Sequence, residues 1–402
     1  SRAGQTGWNM VTDWGMDALA TLRQDELVNY LHISDTLGPS KRVLTGGITL
    51  TLTIIDPTNI DVAASAGFFE SGDVGNTLYI DDLGQELKIV AFTDSQHVNC
   101  ATRPGVWLPG ITPSTGPFSS AGVHFTSVNT LANQTQKFNT YDTTSSNYKA
   151  ELNDSSNSRF IHQRIFLSPA VSGSAWTVKQ LGWSNGNGSN NVFGWVNLPV
   201  TDTVPVGKKY RVTLQVYSAY TPLDIESHSV DWGETIGSYD LRIKQERLGY
   251  DSKGTEFLDS QMQTVNNFLQ PLFPGTAFNT GFRVGFLTTA QTEQPLLWAG
   301  DAGFTINIHN RSSAGANAAG TVEDSGYTSG THTKTRTLTW ADTMAISAAT
   351  MLGLGTQSSF GGGGAFYGYA LSIFPLSGTI TKPAGWSASL AFPIYWTRTL
   401  IN

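Results

Sequence analysis

Ile48-Thr-Leu-Thr-Leu-Thr-Ile54 decides the fold class. Apolar residues and threonine alternate with period two across the whole stretch. Successive side chains of a strand point to opposite faces, so this segment is a strand with one buried face and one polar face. Arg211-Val-Thr-Leu-Gln-Val-Tyr217 repeats the pattern. Working outward, further strands are expected at residues 27–33, 160–167, 177–183, 192–197, 282–287, 304–308, 331–340, 367–374 and 387–396. Helical spacing is confined to two places. Trp14, Leu19 and Leu22 follow Asp13, which is placed to cap a short N-terminal helix, and a weaker patch lies at 261–269. The expected fold is all-β: tandem antiparallel β-sandwiches, a small inserted β-barrel-like module and a short N-terminal helix.

Punctuation divides the chain into three parts. Asp56-Pro57 and Arg103-Pro104 bracket a run of short strands at 77–80, 86–90 and 98–100, joined by Asp81-Asp-Leu-Gly84 and Thr93-Asp-Ser-Gln96, which is turn chemistry. Residues 56–103 are therefore expected to form the inserted module. Residues 1–55 with 104–222 form an N-terminal sandwich, and residues 223–402 a C-terminal one. Leu198-Pro199 precedes Tyr210 by the same interval as Phe374-Pro375 precedes Trp386, and Phe193 matches Tyr369 at that offset. Two sandwiches closed by a similar unit would give this repeat. Coincidence among plentiful glycine and proline is the competing reading. Residues 105–160 are rich in Pro, Gly, Ser and Asn. Gly361-Gly-Gly-Gly364 is a loop or a place where backbones approach closely.

Composition narrows the function classes. Of 402 residues only 14% are charged, against about 25% in an ordinary soluble domain. Polarity comes from Ser, Thr, Asn and 42 glycines. Such a neutral surface suits contact with neighbouring subunits. No stretch approaches the roughly 20 apolar residues that span a bilayer as a helix, so membrane insertion is not expected. The net charge is −7 with no basic run, which argues against a nucleic-acid groove. Cys100 is the single cysteine. It has no internal disulfide partner and excludes a cysteine zinc site. The chain starts Ser1-Arg2-Ala3-Gly4 without a secretory signal, as when an initiator methionine is trimmed, and folding in a cytoplasm is expected.

Few residues suggest chemistry. His32, His97, His124, His162, His228, His309 and His332 never fall at metal-ligand spacing, and His162 and His309 read as sheet histidines. Asp224, Glu226, Asp231 and Glu234 are the densest acidic group. Paired carboxylates across a cleft would hydrolyse glycosides, but a solvated loop leading to Tyr239 explains them as well. No nucleophile elbow, phosphate loop or metalloprotease helix occurs. No catalytic residue, metal or cofactor is expected. Trp107, Trp176, Trp183, Trp195, Trp232, Trp298, Trp386 and Trp396 fall near strand ends or loops, where aromatic faces bind sugars or anchor subunits; core packing is the plainer reading. Asn133, Asn153, Asn187 and Asn310 head Asn-x-Ser/Thr triplets, which chance explains in this composition.

Four stretches carry a resemblance. They are Trp8-Asn-Met-Val-Thr-Asp-Trp-Gly-Met-Asp-Ala-Leu19, Phe68-Phe-Glu-Ser-Gly-Asp-Val-Gly-Asn-Thr-Leu78, Gly326-Tyr-Thr-Ser-Gly-Thr-His-Thr-Lys-Thr-Arg-Thr-Leu-Thr-Trp340, and the closing residues from Phe374 to Arg398. In this order they resemble tailed-bacteriophage virion structural proteins of the tail-fibre and baseplate type. The 105–160 stretch and the 361–364 run depart from that pattern and leave the position in the virion open. The resemblance implies a non-enzymatic building block of the virion, made in the host cytoplasm, that contributes to assembly and host attachment. Its implied partners are other virion proteins and further copies of itself, with a trimer favoured by analogy, and a host surface glycan is a further candidate. Alternatives are a receptor- or glycan-binding protein and a head-decoration or head-fibre protein. A polysaccharide depolymerase is the enzymatic rival, but no β-helix rung period is present.

Overall fold

The computed structural model describes residues 10–20, 27–103, 105–107, 111–145, 148–154, 159–186, 190–219, 226–231, 236–243, 282–287, 321–324, 326–340, 346–359, 366–382, 388–395, 397–398 and 400. The chain enters through β1 (Met10–Val11) and helix α1 (Asp13–Ala18). It continues through β2 (Tyr30–Ser34), β3 (Arg42–Val43), β4 (Leu50–Asp56), β5 (Asn59–Ala64), β6 (Thr77–Ile80), β7 (Glu86–Asp94), β8 (His97–Thr102) and β9 (Ala121–His124). Then follow β10 (Gln134–Phe138), β11 (Lys149–Asp154), β12 (Arg159–Leu167), β13 (Trp176–Ser184), β14 (Gly194–Val204) and β15 (Arg211–Ala219). All strand pairings are antiparallel, and the fold is all-β apart from α1 and a single 3-10 turn at Ser71–Asp73 among the described residues.

Two of the sheets form a sandwich. One runs β1-β14-β13-β2-β10 and the other β11-β12-β15. Leu31 and Ile33 of β2, Leu181 and Trp183 of β13, Phe166 of β12 and Leu214 and Val216 of β15 share one core. Alternation along β2 and β13 sends these residues inward. The same alternation sends His32, Ser34, Gln180 and Ser184 to the opposite face of their sheet, where they are buried too.

The third sheet has seven strands, β3-β9-β6-β7-β8-β5-β4, around a core that includes Leu50, Leu52, Ile60, Leu78, Leu87 and Val123. It curls toward closure. The segment entering β9 bridges to the far edge through Leu50 and Phe118, the Leu52 N–H donates to the Thr115 carbonyl, and the Leu44 N–H donates to the Ala121 carbonyl. One stretch of chain thus satisfies backbone groups at both edges, which removes bare strand edges.

Beyond β15 the described strands are β16 (Glu226–Asp231), β17 (Ile236–Ile243), β18 (Phe282–Leu287), β19 (Thr321–Asp324), β20 (Thr333–Trp340), β21 (Ile346–Ser359), β22 (Phe366–Lys382) and β23 (Ala388–Tyr395). They pair as β16-β17-β22-β21-β18 and β19-β20-β23.

Several boundaries differ from expectation. The alternating strand is there, with Leu50 and Leu52 buried and Thr51 and Thr53 exposed. It forms an edge of the curled sheet, however, and not part of the N-terminal sandwich. That sheet reaches from Arg42 to His124, wider than residues 56–103, and β9 within 104–222 belongs to it. Thr12, not Asp13, caps α1: its Oγ1 accepts from the Gly15 N–H at 2.9 Å. The strand expected at 27–33 starts only at Tyr30; Leu27 and Val28 lie in the core from a turn. The described residues within 105–160 hold β9, β10, β11 and the start of β12. The helical patch at 261–269, the strand at 304–308 and the 361–364 glycine run lie outside the described residues.

Candidate functional site

Helix α1 sits where the sheets meet. The Thr12 N–H donates to the Phe193 carbonyl beside β14, and Thr12 Oγ1 donates to the Val192 carbonyl at 2.7 Å. One residue on, the Asp13 N–H donates to the Thr126 carbonyl, just past β9 of the curled sheet. With Thr12 as the cap, the Asp13 carboxylate is left to bind elsewhere.

It binds two arginines. Arg398 Nη2 donates to Asp13 Oδ1 at 2.7 Å, and Arg103 Nη2 donates to Asp13 Oδ2 at 3.0 Å. Arg398 also donates from Nε to Glu86 Oε2 and from its backbone N–H to Glu86 Oε1, both at 2.8 Å, and from Nη1 to the Val11 carbonyl at 2.6 Å. The Glu86 side chain is 0% exposed and the Arg398 side chain 2%. Two carboxylates thus face two guanidiniums, so the cluster is neutral inside the protein. A buried charge without a partner would be far more costly. Burial alone would push the Asp13 carboxyl up, but Arg398 and Arg103 outweigh it and hold it below the usual range. Burial opposes the charge of Arg398 as well, and Glu86 and Asp13 more than reverse that, raising its affinity for the proton.

A second segment locks the same helix. Tyr327 Oη donates to Asp17 Oδ1 at 2.5 Å, the Gly330 N–H to the same oxygen at 2.7 Å, and Ser329 Oγ to Asp17 Oδ2. Burial, reinforced by the hydrogen bond to Asp17 and its charge, raises the Tyr327 phenol above its ordinary range. His332 follows, fully buried, with φ +49, a left-handed conformation uncommon for residues other than glycine. Burial, aided by Arg398 and Arg103, pushes its imidazole down to about 2, so it is neutral at ordinary pH.

A different constellation has the outline of a nucleophile, base and orienting group. Ser184 Oγ lies 2.7 Å from His32 Nε2, and Gln134 Oε1 lies 2.5 Å from His32 Nδ1. The contacts are built by β13, β2 and β10, adjacent strands of one sheet. Ser184 and His32 are 0% exposed, or close to it. Burial pushes His32 down to about 4, and the orienting group is a neutral amide. This relay ties three strands together and offers a substrate no approach to the hydroxyl. Beside it, both polar atoms of the buried Gln180 amide have no hydrogen-bond partner among the described residues.

The residues singled out in the sequence do not converge on one site. Glu226 and Asp231 lie at the two ends of β16, while Asp224 and Glu234 fall outside the described residues, as do His309, Trp232, Trp298, Trp386 and Trp396. His228 lies in β16 and His162 in β12. His124 is buried on β9 against Tyr79, and His97 pairs with Asp94 in an exposed turn. Trp183 and Trp195 are buried, and Trp107 and Trp176 pack against cores. Cys100 is sealed in the curled sheet, and burial pushes its thiol far up. No group of three or more metal-ligating side chains occurs among the described residues.

The junction residues Glu86, Arg103, His332 and Arg398 went unrecognised as a group in the sequence. A signal was there: charge is scarce in this chain, yet Asp13, Asp17 and Arg398 stand inside the quoted motifs. Comparison with protein-family models, with curated proteins and with solved structures finds no match to this chain.

Proposed function

We propose that the chain is a structural component of a tailed-phage virion, a tail-fibre or baseplate-type protein that contributes to assembly and host attachment without catalysing a reaction. One observation carries this reading. Three of the four stretches that resemble virion proteins meet at helix α1, with Glu86 and Arg103 from outside them. The opening gives Val11, Asp13 and Asp17, the 326–340 stretch gives Tyr327, Ser329 and Gly330, and the closing stretch gives Arg398. Motifs that are individually short become mutually dependent once they share one buried junction. A neutral surface and antiparallel sheets fit a protein that works against neighbours. The glycan-binding alternative draws no support from Trp107, Trp176, Trp183 and Trp195, since each packs against a core.

Electron microscopy of intact particles labelled with an antibody to this chain tests the proposal. Label at the tail tip or along fibres is expected. Label on the head would move the protein to a head-fibre or decoration role. Unlabelled particles, with the antigen free in the lysate, would overturn the reading.

A further inference from the structure

Among the described residues, the acceptors of the slot that receives Arg398 all lie within residues 11–86. The Val11 carbonyl, Asp13 Oδ1 and both Glu86 oxygens converge on it, and Arg103 holds the far side of Asp13. A guanidinium presents five N–H donors in a planar fork and is weakly hydrated, so a buried set of acceptors at several angles selects it over an ammonium. The slot also accepts the Arg398 backbone N–H. It therefore reads an arginine carried on a chain, not a side chain alone. Leu400 is buried as well, whereas Thr397 is exposed. The chain thus presents a buried arginine and a buried leucine two residues apart, the spacing of one face of an extended segment. The segment is short, since β23 ends at Tyr395.

We propose that this slot is a receptor site for an arginine-bearing extended segment, filled in cis by residues 397–400 acting as a latch, and open to the same segment presented in trans when its own is withdrawn. The segment itself is the ligand that meets the guanidinium acceptors and the backbone acceptor at once. Exchange of identical elements conserves every bond, which is why swapping is an accessible route between copies.

The test uses full-length Arg398→Ala and Arg398→Lys proteins with a synthetic peptide of the sequence of residues 395–402, and a control peptide in which arginine is replaced by alanine. Arg398→Ala is expected to lower Tm by roughly 4–6 °C, the scale for losing one partner of a buried pair in a chain of this size. Saturating peptide should restore at least half of that loss, the control peptide none, and the wild-type protein, its slot filled, should not respond. Arg398→Lys should show a smaller loss and the same response. If Arg398→Ala does not fold, refolding it with the peptide should restore the native circular dichroism. No response in either variant, or equal rescue by the control peptide, would overturn the proposal.

Discussion

At the scale of single residues, burial decides what each charged or polar group does. Glu86 and Arg398 are tolerated inside because each completes the other. Arg398→Met should therefore cost about 3–5 kcal/mol, since it strands the Glu86 carboxylate. Adding Glu86→Gln to that variant should return part of the loss, because the second change removes the stranded charge. Urea unfolding of both single variants and the double variant measures this coupling; strictly additive losses would contradict it. His32 gives a pH signature. Its folded-state value of about 4 lies below the ordinary 6.5. The unfolded chain therefore takes up a proton first as pH falls, and stability present above pH 6.5 is lost down to about pH 4. That difference corresponds to stability on the order of 3 kcal/mol. His332 acts in the same direction over a wider range. Replacing His32 by Gln should flatten, without abolishing, the fall in urea midpoint between pH 6.5 and 4. An unchanged slope would contradict the assignment. The same relay separates the structural reading from an enzymatic one: a fluorophosphonate probe should leave Ser184 unlabelled in the native protein, and stoichiometric labelling would identify a reactive hydroxyl.

At the scale of elements, α1 shows how a short helix survives. Six residues are too few to hold a helix in isolation. The Thr12 cap and contacts to both neighbouring sheets hold it instead. Gly15 makes the approach possible, because a Cβ there would sit 2.2 Å from the Phe193 carbonyl oxygen. Gly15→Ala should cost roughly 1–3 kcal/mol through overpacking, although alanine is the better helix former. A neutral or stabilising effect in thermal unfolding would show that α1 does not carry the junction. Strands were legible where one face is buried, as in β4 and β15. They were illegible where that condition fails. All four residues of β9 are buried, and β10 reads Gln-Thr-Gln-Lys-Phe, so neither alternates visibly. Period two also reveals which face of β4 is inward but not which strand lies beside it, and that is how β4 came to be expected in the wrong sheet. Thr12 and Asp13 are both good caps, and sequence alone could not say which carboxylate or hydroxyl the arginines would claim.

At the scale of the whole molecule, residues far apart in sequence close on one helix. Glu86 and Asp13 meet Arg398 across more than 300 positions, and Asp17 meets Tyr327 across a similar span. No local pattern encodes such a meeting, so the sequence shows scarce charges inside the motifs but not their convergence. Their order within the quoted motifs was visible, and it is this order that supports a virion role. Acid should open the junction. Asp13 is held below its ordinary value, so its contribution is present above about pH 4 and is lost as pH falls through the lower folded-state value. We propose that this chain is an integral part of a particle, and quantitative mass spectrometry of gradient-purified, salt-washed virions tests that. Peptides of this chain are expected at a fixed number of copies per particle, in a small multiple consistent with tail symmetry. Peptides confined to the soluble lysate, or present at a trace level that salt washing removes, would contradict it.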